Sequence, residues 1–280
     1  MDNRVKRKYK AGGIVLIIVF ILSFCLQAPA SEAAKPAVKR EPAQPKTAAV
    51  VIDDLGNNMK GTEDILALPF KVTVAVMPFL PSSKEDAEAA HRAGHDVIVH
   101  LPMEPLSGRS SWLGEGAIMV GLDDEEIRKR VHAALDDIPH AIGINNHMGS
   151  KATADERVMR IVLEVCRERG VFYLDSHTNY RSVVGQLAEE LGVPSLDNQL
   201  FIDDVHTKRH MKRQMRLLSK QADQFDYAIA IGHVGGGGKM VAEVLKQWSE
   251  DGGKDIRLVG LSTLFAEQFP LEPFSYSFLP

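Results

Sequence analysis

Cysteine is scarce in this 280-residue chain: only Cys25 and Cys166 are present. A disulfide framework needs several cysteines at regular spacings, so none holds this fold together. Cys25 falls in an N-terminal segment set apart below. Cys166 shares an apolar helical face with Val162 and Val165 and reads as a core thiol. No Gly-x-Ser-x-Gly occurs, which removes the serine-nucleophile elbow. Gly235-Gly236-Gly237-Gly238 precedes a helical pattern, but no Ser or Thr follows its Gly-Lys, so a nucleotide P-loop is excluded. The four glycines read as a loop that lets backbone approach a ligand or metal. No internal repeat and no second domain is visible.

A long apolar run is also missing. Gly13 to Leu26 is uncharged and apolar, but short for a spanning helix. It follows the basic residues Arg4, Lys6, Arg7, Lys8 and Lys10 and precedes Ala28-Pro29-Ala30, a small-residue cleavage site. This pattern predicts a secretory signal peptide over residues 1–30, with an uncleaved N-terminal anchor as the alternative. Phe24 is too bulky for a lipoprotein box before Cys25. Residues 31–47 are rich in Ala, Pro and Lys and predict a disordered linker. The expected location is therefore secreted or extracytoplasmic, in the cell envelope. Membrane contact is expected only through the N-terminal segment, if it stays uncleaved.

Positive charge is short in the remaining domain, residues 48–280. Of 33 Lys/Arg and 37 Asp/Glu, the first 47 residues hold nine and three, which leaves 24 against 34, a balance of −10. That argues against a nucleic-acid partner. Lys208, Arg209, Lys212, Arg213 and Arg216 read as a solvated helix face.

What the domain does have is alternation. Strand patterns at Ala48–Ile52, Val72–Val76, Val97–His100, Ala141–Asn145, Val171–Leu174, Leu200–Ile202, Tyr227–Ile231 and Ile256–Val259 are separated by helical patterns. Asp123 is placed to cap one helix, and Gly170 and Gly192 to end two others. The pattern predicts an α/β fold: a deformed (β/α) barrel of about seven to eight mainly parallel strands with outer helices. An open doubly wound sheet is the alternative.

In either architecture ligands bind at the carboxyl ends of the strands. There the chain places Asp53-Asp54, His100, Asn145-Asn146-His147, Asp175-Ser176-His177 and Gly232-His233. Imidazoles and a carboxylate gathered on one rim form the ligand set of a catalytic divalent site. Two adjacent aspartates repel unless a metal takes one and leaves the other as a base. Such a site hydrolyses amides or esters through metal-activated water. Trp112 lies in the long loop 107–120, where it either stacks on a sugar or anchors the loop; anchoring is preferred.

At these residues the chain resembles the polysaccharide deacetylases, and more closely the divergent polysaccharide deacetylase family. The resemblance rests on Val-Ile-Asp-Asp-Leu-Gly from Val51, His-Leu-Pro-Met-Glu-Pro from His100, Asn-Asn-His-Met-Gly-Ser from Asn145, Leu-Asp-Ser-His-Thr from Leu174 and Ile-Gly-His from Ile231. It implies removal of N-acetyl groups from a glycan and a divalent metal, expected to be zinc. Carried over by position, Asp53 is the base, Asp54 the metal carboxylate and His100 the first metal histidine. His233 is the general acid, and Asp175 the residue that orients it. The family's second metal histidine falls on Glu104 here. Either Glu104 ligates, or His147 supplies the second imidazole; His147 is preferred, with His177 a further candidate. The family's arginine motif is absent, and Asn145-Asn146 stands at about its place. A catalytically silent glycan-binding protein of the same fold, still holding metal, is the alternative, and a glycosidic-bond hydrolase a third reading.

Overall fold

The computed structural model describes residues 46–251, 253 and 255–270. The expected signal segment lies outside the described residues. Among the described residues there are nine strands: β1 (Lys46–Leu55), β2 (Thr73–Val76), β3 (Asp96–Met103), β4 (Ala141–Met148), β5 (Phe172–Asp175), β6 (Ser195–Asp197), β7 (Leu200–Phe201), β8 (Tyr227–His233) and β9 (Ile256–Val259). The helices are α1 (Thr62–Leu66), α2 (Ser83–Arg92), α3 (Asp124–Asp137), α4 (Glu156–Arg169), α5 (Val184–Leu191), α6 (Lys208–Phe225), α7 (Gly238–Asp251) and α8 (Leu261–Gln268). The first strand starts at Lys46 and takes in the last two residues of the expected linker, the rest of which lies outside the described residues. Among the described residues no helix is long and apolar enough to cross a membrane.

Every strand pairing is parallel, in the order β6-β5-β4-β3-β2-β1-β8-β7, with β9 beside the start of β1. The two ends of this order are consecutive in sequence. Asn198 N–H donates to Asp175 O (2.9 Å) at the β5 edge, and Gln199 N–H donates to Ile229 O (3.2 Å) at the β8 edge. Two residues thus step across the seam, which makes the sheet the expected deformed barrel. The pattern of sequence-derived strands misses β6, because three residues with one buried side chain carry no periodicity.

Side chains alternate between two cores. Val50, Ile52, Val74, Val97 and Val99 pack with apolar residues of the first seven helices. Ala49, Val51, Ile98, Phe172, Leu174, Ile229 and Ile231 pack with each other and with Leu261, Leu264 and Phe265 of α8. The second set is the barrel interior, and α8 plugs its amino-terminal mouth. Leu261 N–H donates to Thr73 Oγ1 (2.9 Å) and Ser262 N–H to Asp96 Oδ2 (2.8 Å), both at strand starts. The Phe265 ring stacks on Phe172 with centroids 3.8 Å apart. A Cβ at Gly143 would lie 2.2 Å from the Phe172 ring, so only glycine admits that ring to the interior.

Local signals match the expected caps. Asp123 accepts a hydrogen bond from Glu126 N–H, and Gly170 and Gly192 end their helices in the left-handed conformation. Cys166 is fully buried, and burial pushes its thiol pKa up, so it is an inert core residue. Two glycines of the loop approach backbone closely: Gly235 N–H donates to Lys60 O (2.8 Å), and a Cβ on Gly238 would lie 2.5 Å from Lys60 O. Gly235 and Gly238 serve close packing onto the β1–α1 loop.

Candidate metal and catalytic site

Continuing the inward alternation past Val51, Ile98 and Ile231 brings Asp53, His100 and His233 to the carboxyl-end mouth of the barrel. Asn145 joins them from β4. A regular strand would then turn Asp54 outward. The β1–β2 register shifts between Ile52 and Leu55, and Asp54 has φ 70°. This bulge swings the second carboxylate back to the mouth beside the first.

Asp54, His100 and His147 each direct one ligand atom to a common point. Asp54 Oδ1 lies 3.3 Å from His100 Nε2 and 3.1 Å from His147 Nδ1, and the two nitrogens are 3.1 Å apart. A tetrahedral ion with bonds of about 2.0–2.1 Å holds its ligand atoms about 3.3–3.4 Å apart, so this triangle matches one face of such a site. The buried Asp54 Oδ1 has no hydrogen-bond partner despite its two nitrogen neighbours. An orphaned oxygen facing two imidazole nitrogens is the signature of a position made for a cation.

The hydrogen bonds behind the triad set its tautomers. Asn145 Nδ2 donates to Asp53 Oδ1 (2.9 Å), which turns Asn145 Oδ1 toward His100 Nδ1 at 2.8 Å. An amide oxygen only accepts, so His100 Nδ1 carries the hydrogen and Nε2 is left to ligate. His147 Nε2 lies 3.0 Å from the carbonyl oxygen of Trp112 and must donate to it, which leaves Nδ1 to ligate. Burial pushes the Asp54 carboxyl up, but His100 and His147 outweigh it and hold it well below the usual carboxylate range. Burial draws His100 down, yet Asp53 and Asp54 hold it above the ordinary imidazole value. Burial raises Asp53, against the pull of His100 and His233.

His233 is held by a different carboxylate from the one expected. Its Nδ1 lies 2.9 Å from Asp203 Oδ1, and its backbone N–H donates to Asp203 Oδ2 (3.0 Å). Burial alone would lower this histidine, but Asp203, with help from Asp53, pushes it up to about 9. Phe201 stacks on the imidazole with centroids 6.0 Å apart.

A profile of the divergent polysaccharide deacetylases matches residues 50–265. The chain belongs to the divergent polysaccharide deacetylase family. The chain is 35% identical over 228 residues to an uncharacterised protein of Haemophilus influenzae, covering 81% of this chain and 80% of the other. An uncharacterised Escherichia coli protein is 33% identical over 219 residues, covering 78% and 67%. A solved structure of an uncharacterised Agrobacterium tumefaciens protein shares the fold, with a TM-score of 0.74, 23% identity and coverage of 80% and 91%.

In this family member several expected residues stand elsewhere. Asp175 does not orient His233: its Oδ1 accepts from His177 N–H (2.8 Å), closing a turn. Asp203 takes the orienting place because it leaves β7, the immediate neighbour of β8, whereas β6 and β7 stand between β5 and β8. The signal was present as Asp203-Asp204 directly after the strand pattern Leu200–Ile202, the same arrangement as Asp53-Asp54. Glu104 points away from the triad, with Oε1 2.5 Å from Lys151 Nζ and Oε2 accepting from Val120 N–H (2.7 Å). His177 is exposed on the seam beside Asp197 and outside the triad. Asn146 ties β4 to β5, donating to Met148 O (2.8 Å) and accepting from Ser176 N–H (3.0 Å). Trp112 is 58% exposed, and its loop is tied to the site through its carbonyl oxygen, 3.0 Å from His147 Nε2.

Proposed function

We propose that this protein is an exported, metal-dependent hydrolase that removes N-acetyl groups from a cell-envelope polysaccharide. The observation that carries the reading is the Asp54–His100–His147 triangle with Asp53 and His233 beside it in register. Two imidazoles and one carboxylate at tetrahedral spacing favour zinc. A divalent cation held there polarises an acyl oxygen and acidifies a water molecule.

The rest is the work of the chain's own residues. Asp53 ligates nothing in this arrangement; Asn145 and His100 orient it, and burial raises its basicity. It takes a proton from the attacking water. His233, kept protonated through Asp203, gives its Nε2 proton to the departing amine. A substrate acetyl group bound at the triad would lie between Asp53 and His233. Family membership supports an acetylated carbohydrate as substrate. The experiment is metal analysis of the purified protein joined to acetate release from N-acetylated glycans. Stoichiometric zinc with metal-dependent acetate release is the expected result. Metal without acetate from any N-acetylated glycan would leave a glycan-binding protein of the same fold.

A further inference from the structure

Exposed large apolar side chains cluster on the side of the barrel that holds the triad. Leu106, Trp112, Tyr180 and Val205 are 48–83% exposed, and all four lie in loops that leave strand carboxyl ends. Three of them form one fastened patch. Leu106 N–H donates to Ser150 Oγ (3.0 Å), and Asn179 Nδ2 donates to Ser150 O (2.5 Å) just before Tyr180. Ser150 follows His147 by three residues, and Trp112 O receives the His147 Nε2 hydrogen bond.

Each exposed ring carries a guanidinium. Arg109 Cζ lies 5.6 Å from the Trp112 ring centroid, and Arg181 Cζ lies 5.6 Å from that of Tyr180. Both arginines are exposed, and among the described residues neither has a carboxylate partner. Arg128, Arg130, Arg157, Arg160, Arg169 and Arg257 each pair with one. Among the described residues Arg167, Arg209, Arg213 and Arg216 do not, but they lie on α4 and α6; Arg109 and Arg181 are the unpaired arginines in loops at the carboxyl-end mouth. A ring face suits the apolar face of a sugar, and a free guanidinium suits a carboxylate or phosphate held in its plane.

We propose that the Trp112–Arg109 and Tyr180–Arg181 pairs form a substrate subsite that selects anionic N-acetylated glycans. The rings stack on sugar faces, and the guanidiniums bind carboxylate or phosphate substituents on the polymer. The proposal rests on the deacetylase reading for its substrate class. The Trp112 residue that bears one ring also holds His147, so an occupant of the patch lies against the triad. That placement suits a substrate and not a bilayer.

The test is calorimetric binding to full-length Asp53→Asn protein, so that turnover does not consume the probe. Three hexasaccharides are compared: neutral N-acetylchitohexaose, a carboxylate-bearing hyaluronan fragment and a 6-O-phosphorylated chitohexaose. At least one anionic probe is expected to bind about tenfold tighter than the neutral one, with affinity falling as salt rises. Arg109→Ala/Arg181→Ala should abolish that preference without lowering Tm, since both side chains are exposed. The preferred anionic probe separates a carboxylate source from a phosphate source. Equal binding of all three probes, or an unchanged preference in the double variant, overturns the proposal. So does arginine-dependent binding to anionic lipid vesicles with no binding of any hexasaccharide. Arginine-dependent binding of a probe from which the parent releases no acetate counts against the deacetylase reading and leaves this one standing.

Discussion

Asp53 and His233 are register partners across β1 and β8, so the base and acid candidates stand side by side on one face of the sheet. Parallel neighbours lie about 4.8 Å apart, close enough for the two to interact and for one bound acyl carbon to reach both. Each raises or lowers the other, and each has its own support: Asn145 for Asp53 and Asp203 for His233.

The two adjacent aspartates should separate cleanly on substitution. Asp53→Asn is expected to keep its metal and fold but lose turnover by a factor of roughly 10²–10⁴, the size of a general-base contribution. Asp54→Asn should lose metal and turnover together, because it removes the anionic ligand. Metal content and acetate release measured on both variants check this. Parent-like turnover in Asp53→Asn removes Asp53 from the base role.

The rate should follow a bell in pH. Asp53 must be ionised to accept a proton, so the acid limb reports its titration; burial raises its pKa, and a cation at the triad pulls it back down. His233 must be protonated to donate; its raised pKa keeps it so until the pH rises through about 9, where the alkaline limb falls. Removing the Asp203 charge lowers that pKa, so Asp203→Asn should move the alkaline limb down by about 1–3 pH units. The limbs report the coupled pair. A profile unchanged in Asp203→Asn would detach His233 from proton donation.

Metal uptake should release protons. Asp53 and Asp54 hold His100 above the ordinary imidazole value, so the metal-free protein keeps a proton that a cation must displace. Affinity therefore rises with pH until His100 is neutral and falls below it. Calorimetry in buffers of different ionisation enthalpy counts the protons released. His147→Ala, which opens a three-residue site, should lower occupancy strongly. Full occupancy in that variant would show that His147 is not a ligand.

The barrel plug gives a stability test far from the site. Phe265 is fully buried and stacked on Phe172, in the interior core. Phe265→Ala should cost about 3–5 kcal/mol, the range for emptying a buried aromatic position. Urea unfolding of parent and variant measures it. A loss no larger than that of a surface substitution would mean α8 is not part of the folded core.

Export remains a matter of the N-terminal segment. Mass spectrometry of the protein from its native host should find a new N-terminus between about Ser31 and Lys35, after the small-residue site. An intact, cytoplasmic N-terminus would remove the export part of the proposed function.

The sequence by itself determined the barrel class, the rim on which the candidate site gathers and most of the residues on it. Those signals are local: Val50–Ile52 runs into Asp53-Asp54, and the same apolar-run-then-polar pattern recurs at His100, Asn145 and His233. Period and punctuation are enough to say where a strand ends and which side chains leave it. Tertiary structure alone decided which of these meet. The structure brings His147 and not Glu104 to Asp54 and His100, with the Trp112 carbonyl behind one and Lys151 beside the other, contacts spanning 35 and 47 residues. Asp203 displaced Asp175 because strand order puts β7 next to β8, and neighbour order across a sheet leaves no trace in local periodicity. The same holds for α8, whose short apolar pattern says helix only once the open mouth of the barrel gives it something to fill.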